Sequence, residues 1–404
     1  MRPLEGIRVL DLSSVIFGPL ASQILADYGA EVVKIEPPDG DSTRRTGPAR
    51  EEGMSAIFLG ANHGKQSVVL DLKQAAGREA LRALLADADV LMHSMRPQKL
   101  PALGLDPAQL LPAHPRLVFA QLLGFLPGPY QGRPAYDDVI QGMSGLADLM
   151  MRQTGETRYL PTIAADKTCA HIAAHAILAA LMQRTRTNCG CVVDIPMFES
   201  MVNFNLVEHL YGQHFEPPLG GAGYPRVLAP WRRPYRTTDG HVSMMPYTDA
   251  HWRRFFEAVG QPGLADDSRF ADMAARTRHI AELLEQVSAL VALHDTAHWL
   301  ALCDRLEIPA APVRRIDDLA SDPHLQATGF FETIDDPAMG PLRFAGMPVR
   351  FNGERHPVAL PPRLGEHTRA QLQAAGLDSA QVDALLASGA ACEPNPDPKP
   401  AAEG

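Results

Sequence analysis

Residues 7–35 read IRVLDLSSVIFGPLASQILADYGAEVVKI, and this stretch decides the fold. Residues 7–12 form a short apolar run of the kind that makes a buried strand. Gly18 and Pro19 then open a helix that runs through Tyr28, because proline suits a first helical turn and Gly29 suits its end. Residues 31–35 (EVVKI) are a second strand. Two strands around one crossover helix make a βαβ unit and hence a parallel sheet. The pattern recurs, with strands at 67–72, 89–93 and 117–122 and a helix at 74–86. A doubly wound α/β architecture is therefore expected.

Further along, residues 164–183 predict a helix rich in Ala and Leu, 192–195 a strand and 198–211 another helix. The texture changes near Pro217, where three nearby glycines precede an Arg-rich turn. A strand at 240–245 and helices at 250–259, 279–293 and 296–305 predict a smaller, helix-richer second domain. The expected division is a large domain over 1–216, a small α+β domain over 217–330 and a return segment over 331–390 that completes the large domain. That segment holds strands and a terminal helix at 379–387. The Pro-rich end, 391–404, is expected to be a flexible tail.

Lys and Arg total 37 against 47 Asp and Glu, giving a net charge of −10. That balance argues against nucleic acid or an acidic membrane surface as main partner. Five cysteines in 404 residues are too few for a disulfide scaffold. The opening residues MRPLEG show no apolar signal core, and the longest apolar run is too short to span a bilayer. A reducing cytoplasm is expected. Proline, at 35 residues, is about twice its usual share.

The turn at 12–19 sits where α/β sheets bind ligands. It carries no Gly-x-Gly-x-x-Gly, and the chain has no Walker loop. A dinucleotide held by its pyrophosphate is not expected; the turn suits a long, partly greasy ligand or is purely structural. Asp166 follows an apolar run (LPTIAA) at the start of a helix. A carboxylate there gains from the dipole and from orphan N–H groups. It can stay ionised while partly desolvated, as a carboxylate nucleophile must; the competing role is a helix cap. His171 and His175 share a helix face, but the Glu of a His-Glu-x-x-His zinc motif is missing. Cys169 and His171 stand two apart and face different ways, which disfavours a thiol–imidazole pair. Cys189 and Cys191 are too close in sequence for a zinc knuckle. Arg226, Arg232, Arg233 and Arg236 lie among Pro and aromatic residues (GYPRVLAPWRRPYR). Arginine reads carboxylate and phosphate bidentately, so this is a clamp for an anionic substrate or else a solvated basic turn. Arg44, Arg45 and Arg96 offer further phosphate contacts.

Taken together, the chain resembles the family III CoA-transferases, the formyl-CoA and carnitine CoA-transferase (CaiB/BaiF) group, from about Pro3 to Leu386. The matching runs are PLEGIRVLD (3–11), GAEVVKIE (29–36), NHGKQSVVLDLK (62–73), GPY (128–130), RPAYD (133–137), MSG (143–145) and LGEHT (364–368). The resemblance implies a Rossmann-like large domain, a small domain, and two open rings interlocked into a homodimer. It places the family's nucleophile on Asp166 and implies transfer through an aspartyl mixed anhydride and an aspartyl-CoA thioester, with no metal. Coenzyme A would be substrate and carrier, bound by Val15, Phe17, Leu70, Lys73, Ser94, Met95, Arg96, Arg133 and Tyr136.

The chain also departs from the pattern. Ser14, Ile16 and Phe17 stand where formyl-CoA transferases carry His, Gln and Ala, which speaks against formyl- or oxalyl-CoA. Pro37 and Ala102 replace two usual arginines, so that Arg44 or Arg45 would have to substitute at the CoA phosphates. Residues 224–236 resemble members that take dicarboxylates with succinyl-CoA as donor, which makes Arg226, Arg232 and Arg233 candidates for a distal carboxylate. The α-methylacyl-CoA racemases share the fold and are the alternative reading, but their His before Asp137 is here Tyr136. A CoA-binding scaffold without turnover is the remaining alternative.

Overall fold

The computed structural model describes residues 2–394. In chain order it runs β1 (Arg8–Leu12), α1 (Phe17–Asp27), β2 (Glu31–Glu36), α2 (Ala56–Asn62), β3 (Gln66–Leu70), α3 (Ala75–Leu85), β4 (Val90–His93), α4 (Pro107–Ala113) and β5 (Val118–Leu123). It continues with α5 (Asp137–Met143), α6 (Leu146–Thr154), α7 (Ala164–Thr187), β6 (Cys191–Pro196), α8 (Met197–His209), α9 (Pro225–Leu228), β7 (Tyr235–Arg236), β8 (His241–Met244) and α10 (Asp249–Ala258). Then come α11 (Met273–Arg278), α12 (Ile280–Val291), α13 (Thr296–Arg305), β9 (Ala310–Pro312), α14 (Pro323–Ala327), β10 (Phe331–Asp336), β11 (Gly340–Ala345), α15 (Thr368–Ala374), α16 (Ser379–Ala387) and β12 (Ala391–Cys392). No helix among the described residues is long and apolar enough to cross a membrane.

The main sheet has the order β12-β3-β2-β1-β4-β5-β6. Strands β1 to β6 pair parallel, with Val9 between Val32 and Val90. Strands covered on both faces read as continuous apolar runs, and β1 and β4 are buried almost throughout. Leu10, Val33, Leu91 and Phe119 of the sheet pack with Leu81 and Leu84 of α3, Leu372 of α15 and Val382 of α16 in one core. The mixed α/β fold with a large parallel sheet is the one expected. The end of the chain differs from expectation. Ala391 and Cys392 pair antiparallel with Leu70 and Val69 of β3, because an open sheet edge offers unpaired N–H and C=O groups to any chain that reaches it. The flexible tail expected from residue 391 therefore does not start there; Pro396, Pro398 and Pro400 lie outside the described residues.

The chain divides into two compact units. The first takes residues 1–144, 161–202 and 323–404 and the second takes 145–160 and 203–322, where the sequence reading drew single divisions after 216 and 330. The second unit is built on the antiparallel β7-β8-β9 sheet and a core that includes Trp252, Phe255, Phe256, Val287 and Trp299.

Charges sit inside the first unit. Lys34 Nζ donates to Asp41 Oδ2 at 2.9 Å and to the Ser13 carbonyl at 2.9 Å. Lys65 Nζ reaches Asp11 at 3.4 Å and donates to the Pro19 carbonyl at 2.7 Å and to Asn62 at 2.9 Å. Burial works to raise the Asp11 pKa, but the Lys65 and Lys34 charges outweigh it and hold the carboxyl below the usual range. Burial pulls Lys65 down to about 7, against the opposing pull of Asp11. Arg44 is 2% exposed. It forms a bidentate pair with Glu36 at 2.7 Å through Nε and Nη2 and lies 3.8 Å over the Phe58 ring. Its expected service to a CoA phosphate is thereby overturned, since its fork is filled by a buried carboxylate.

Removing one partner of a buried ion pair typically costs about 3–5 kcal/mol, because the other charge stays buried and unpaired. Lys34→Met should lower the urea unfolding midpoint accordingly; an unchanged midpoint would show that the pair carries no such weight.

Candidate active site

A cleft of about 330 Å³ opens within the first unit beyond the carboxyl ends of β1, β4, β5 and β6. It lies between the turns after β1 and β4, where the strand order reverses, the usual ligand crevice of open α/β sheets. The turn after β1 is strained: Val15, β-branched, has φ of 72°, a region that such residues rarely enter. It is held from outside. Asp41 accepts the Val15 N–H at 3.2 and 3.3 Å, while Lys34 holds the Ser13 carbonyl. The Ser14 N–H donates to Ser94 Oγ at 3.3 Å, tying the turns after β1 and β4 together.

Asp166 lines the same cleft from the first turn of α7. It does not cap its own helix. Ile163 occupies the cap position without a side-chain bond, and the orphan N–H of Asp166 is taken by Asp137 Oδ1 at 3.0 Å. Gln141 Nε2 in turn donates to Asp137 Oδ2 at 2.6 Å and to the Thr162 carbonyl at 3.2 Å. The Asp166 carboxyl is thus left free of a capping role, 9% exposed. Burial first, then the Asp137 charge, push its pKa up to about 7. The helix dipole favours the ionised form by about 0.3–1 kcal/mol at exposed sites and is the weaker influence. Burial, with the charges of Asp166 and Asp137 adding, pushes the Cys169 thiol up to about 12, which removes it as a nucleophile. His171 and His175 lie on the exposed face of α7. Among the described residues no group of three or more His, Cys, Asp or Glu could hold a metal ion.

The walls are partly aromatic. Phe125 packs against Tyr130 and Phe198 with ring centroids 5.6 and 5.7 Å away, and the Arg133 guanidinium lies 4.8 Å over the Tyr130 ring. A buried carboxyl, two guanidinium groups (Arg96 and Arg133) and an apolar floor in one cleft suit an anionic ligand with an acyl group to transfer.

The model of CoA-transferase family III matches residues 4–368. The chain belongs to that family. It is 32% identical over 388 residues to the succinate–glutarate CoA-transferase of Agrobacterium fabrum, covering 90% of this chain and 94% of that one. It is 30% identical over 396 residues to the succinyl-CoA:glutarate CoA-transferase of Mus musculus, covering 96% and 90%. A crystal structure of a CaiB/BaiF family protein from Brucella suis superposes with a TM-score of 0.76 at 30% identity, over 92% of this chain and 99% of that one. The chain is thus an enzyme of the CoA-transferase type.

Of the residues singled out in the sequence, this transferase brings Val15, Phe17, Ser94, Met95, Arg96, Arg133 and Tyr136 around the same cleft as Asp166. Two are elsewhere. Leu70 is 1% exposed in the core, because β3 lies two strands away from the crevice. Lys73 is exposed beyond β3 and is absent from the cleft wall. Arg226, Arg232 and Arg233 line a separate cleft inside the second unit. Sequence reasoning missed the bond from Asp166 to Asp137 and the aromatic wall; RPAYD and GPY marked the positions of Asp137 and Tyr130 but not what they touch.

A carboxyl raised from 3.8 to about 7 weighs against the folded state as pH climbs through that window, since the unfolded chain ionises first. Asp166→Asn should therefore raise Tm at pH 8 and leave it nearly unchanged at pH 4; equal effects at both would contradict the buried, raised carboxyl.

Proposed function

We propose that this transferase moves CoA from an acyl-CoA donor, succinyl-CoA being the first candidate, to a carboxylic acid, with Asp166 as covalent nucleophile. The observation that carries the reading is the buried Asp166 carboxyl, excused from capping by Asp137 and facing a cleft that also holds Arg96 and Arg133. The name of the mouse relative supports the donor, and the names of both the mouse and the Agrobacterium relatives point to dicarboxylates.

An Asp166 oxygen attacks the thioester carbonyl; the C–S bond breaks and CoA leaves as thiolate, giving a mixed anhydride. The thiolate attacks the aspartyl carbonyl; the anhydride C–O bond breaks, the donor acid departs as carboxylate and an aspartyl-CoA thioester remains. The acceptor carboxylate attacks that thioester and expels the thiolate, forming a second anhydride. The thiolate then attacks the acceptor carbonyl, releasing the new acyl-CoA and the Asp166 carboxylate. Each step exchanges one activated acyl group for another, so no external energy source enters. Arg96 and Arg133 are suited to the CoA phosphates, Val15 and Phe17 to its pantetheine arm, and Tyr136 to the mouth of the cleft. The aromatic wall would keep water from the anhydrides. Arg226, Arg232 and Arg233 are candidates for holding a carboxylate within the cleft of the second unit.

The strand order β3-β2-β1-β4-β5-β6 is that of the Rossmann sheet and supports a Rossmann-like large domain. Two chains interlocked as a homodimer would cover apolar side chains that one chain leaves open, such as Phe204 and Val207 of α8, 55% and 72% exposed.

Asp166→Ala should abolish CoA exchange, and hydroxylamine should trap an aspartyl hydroxamate at position 166 of the wild type, read by mass spectrometry. Exchange that survives the substitution would reject the mechanism. Because the nucleophile must be ionised, kcat/KM should fall as pH drops through about 7. Asp137→Asn keeps an acceptor oxygen but removes a like charge, so it should move this limb to lower pH; an unmoved limb would assign it to another group.

A further inference from the structure

The cleft of the second unit measures about 470 Å³, within the range of small-molecule sites. No Asp or Glu is among its lining residues, although Arg226, Arg232 and Arg233 all border it. Arg226 is 5% exposed. Its guanidinium meets a thioether, Met273 Sδ at 2.8 Å, a weak acceptor, and lies 5.8 Å from the Tyr247 ring centroid. Arg232 Nη1 donates only a long 3.4 Å bond to the Arg226 carbonyl, and Arg233 stacks over Trp231 at 4.6 Å. No ion pair joins any of the three to an acid among the described residues. Trp252, 3% exposed, lends the cleft wall part of its apolar surface.

Buried donors without acceptors are costly, and a buried guanidinium without a counter-charge more so. The cleft therefore carries an excess of donors that an anion rich in acceptor oxygens would satisfy. The rest of its wall is apolar, with Met244, Met245, Trp252, Ile280 and Leu284 prominent. A short, polar diacid would leave that wall wet. We infer that this cleft is a site for a carboxylate carried on an extended hydrocarbon body, one longer than the three-methylene spacer of glutarate, and that it binds this group without CoA. The inference rests on the proposed role of Arg226, Arg232 and Arg233 as carboxylate partners and adds the length and polarity of what they hold.

Isothermal titration of the full chain, without CoA, with the α,ω-dicarboxylates from glutarate to suberate and with inorganic phosphate tests it. Kd should fall about three- to fourfold with each added methylene, the value of burying one such group, and phosphate should bind more weakly than suberate. Arg226→Gln and the exposed Arg233→Gln should each weaken suberate at least tenfold while keeping the slope; Arg233→Gln guards against misfolding at the buried position. A flat or inverted series, phosphate as tight as suberate, or both Arg variants binding like wild type would overturn the inference. Asp166→Ala should bind the series as wild type does. If the wild type shows no CoA exchange while the series binds with this slope, the transferase mechanism fails and the site stands; if exchange proceeds and the slope is absent, the site alone fails.

Discussion

One buried ammonium group underlies the geometry of the candidate active site. Lys34 points from β2 under the turn that follows β1 and holds two things at once, the Ser13 carbonyl and the Asp41 carboxylate. Asp41 in turn takes the Val15 N–H, so one ion pair grips the turn on both sides of Ser14. Burial alone would lower the Lys34 pKa, but Asp11, Asp41 and Glu36 outweigh it and hold the ammonium charged. Local backbone strain persists only where the surroundings over-determine it, and Val15 has such surroundings. The sheet sets where the cleft opens; the buried charges set the shape of its rim.

Asp166 shows the opposite use of burial. Asp11 and Asp41, inside the same unit, are matched by cations and sit below their usual range. The charge that acts on Asp166, beside its burial, is that of another carboxylate, Asp137. Asp137 takes over the backbone bond that a first-turn residue would otherwise seek for itself, which leaves the Asp166 oxygens poorly solvated and unpaired. A group in that state gains from any step that spreads its charge onto a substrate carbonyl, a change in the direction that nucleophilic attack requires.

The elements are more legible in the sequence than the interactions between them. Runs such as IRVLDL and EVVKIE announce buried parallel strands, because a strand covered on both faces is apolar along most of its length rather than at alternate positions. Thr296–Arg305 and Ser379–Ala387 are helices at the residues expected. The polar members of those same strands were opaque. Nothing in EVVKIE says that its Lys and last Glu are buried, since partners such as Asp41 and Arg44 come from the loop beyond the strand. Arg44 looked like a phosphate ligand because Arg-Arg after a strand has that composition; its partner Glu36 is eight residues back and visible only once the loop folds over. Val15 carried no local sign of a left-handed conformation, which depends on Asp41 rather than on the residue itself. β12 was hidden because its pairing partner lies more than three hundred residues away.

That last strand bears on how the chain is made. The first unit is assembled from three separated stretches of sequence, and the outer edge of β3 is closed only by Ala391 and Cys392. During synthesis the parallel sheet must wait with that edge open until residues 391 and 392 have left the ribosome, while the second unit, whose stretches end at residue 322, already has all of its sequence. Unpaired strand edges are where nascent chains associate wrongly. The short strand β12 is therefore a latch in time as well as in space, closing one flank of the sheet only after the whole second unit has been made.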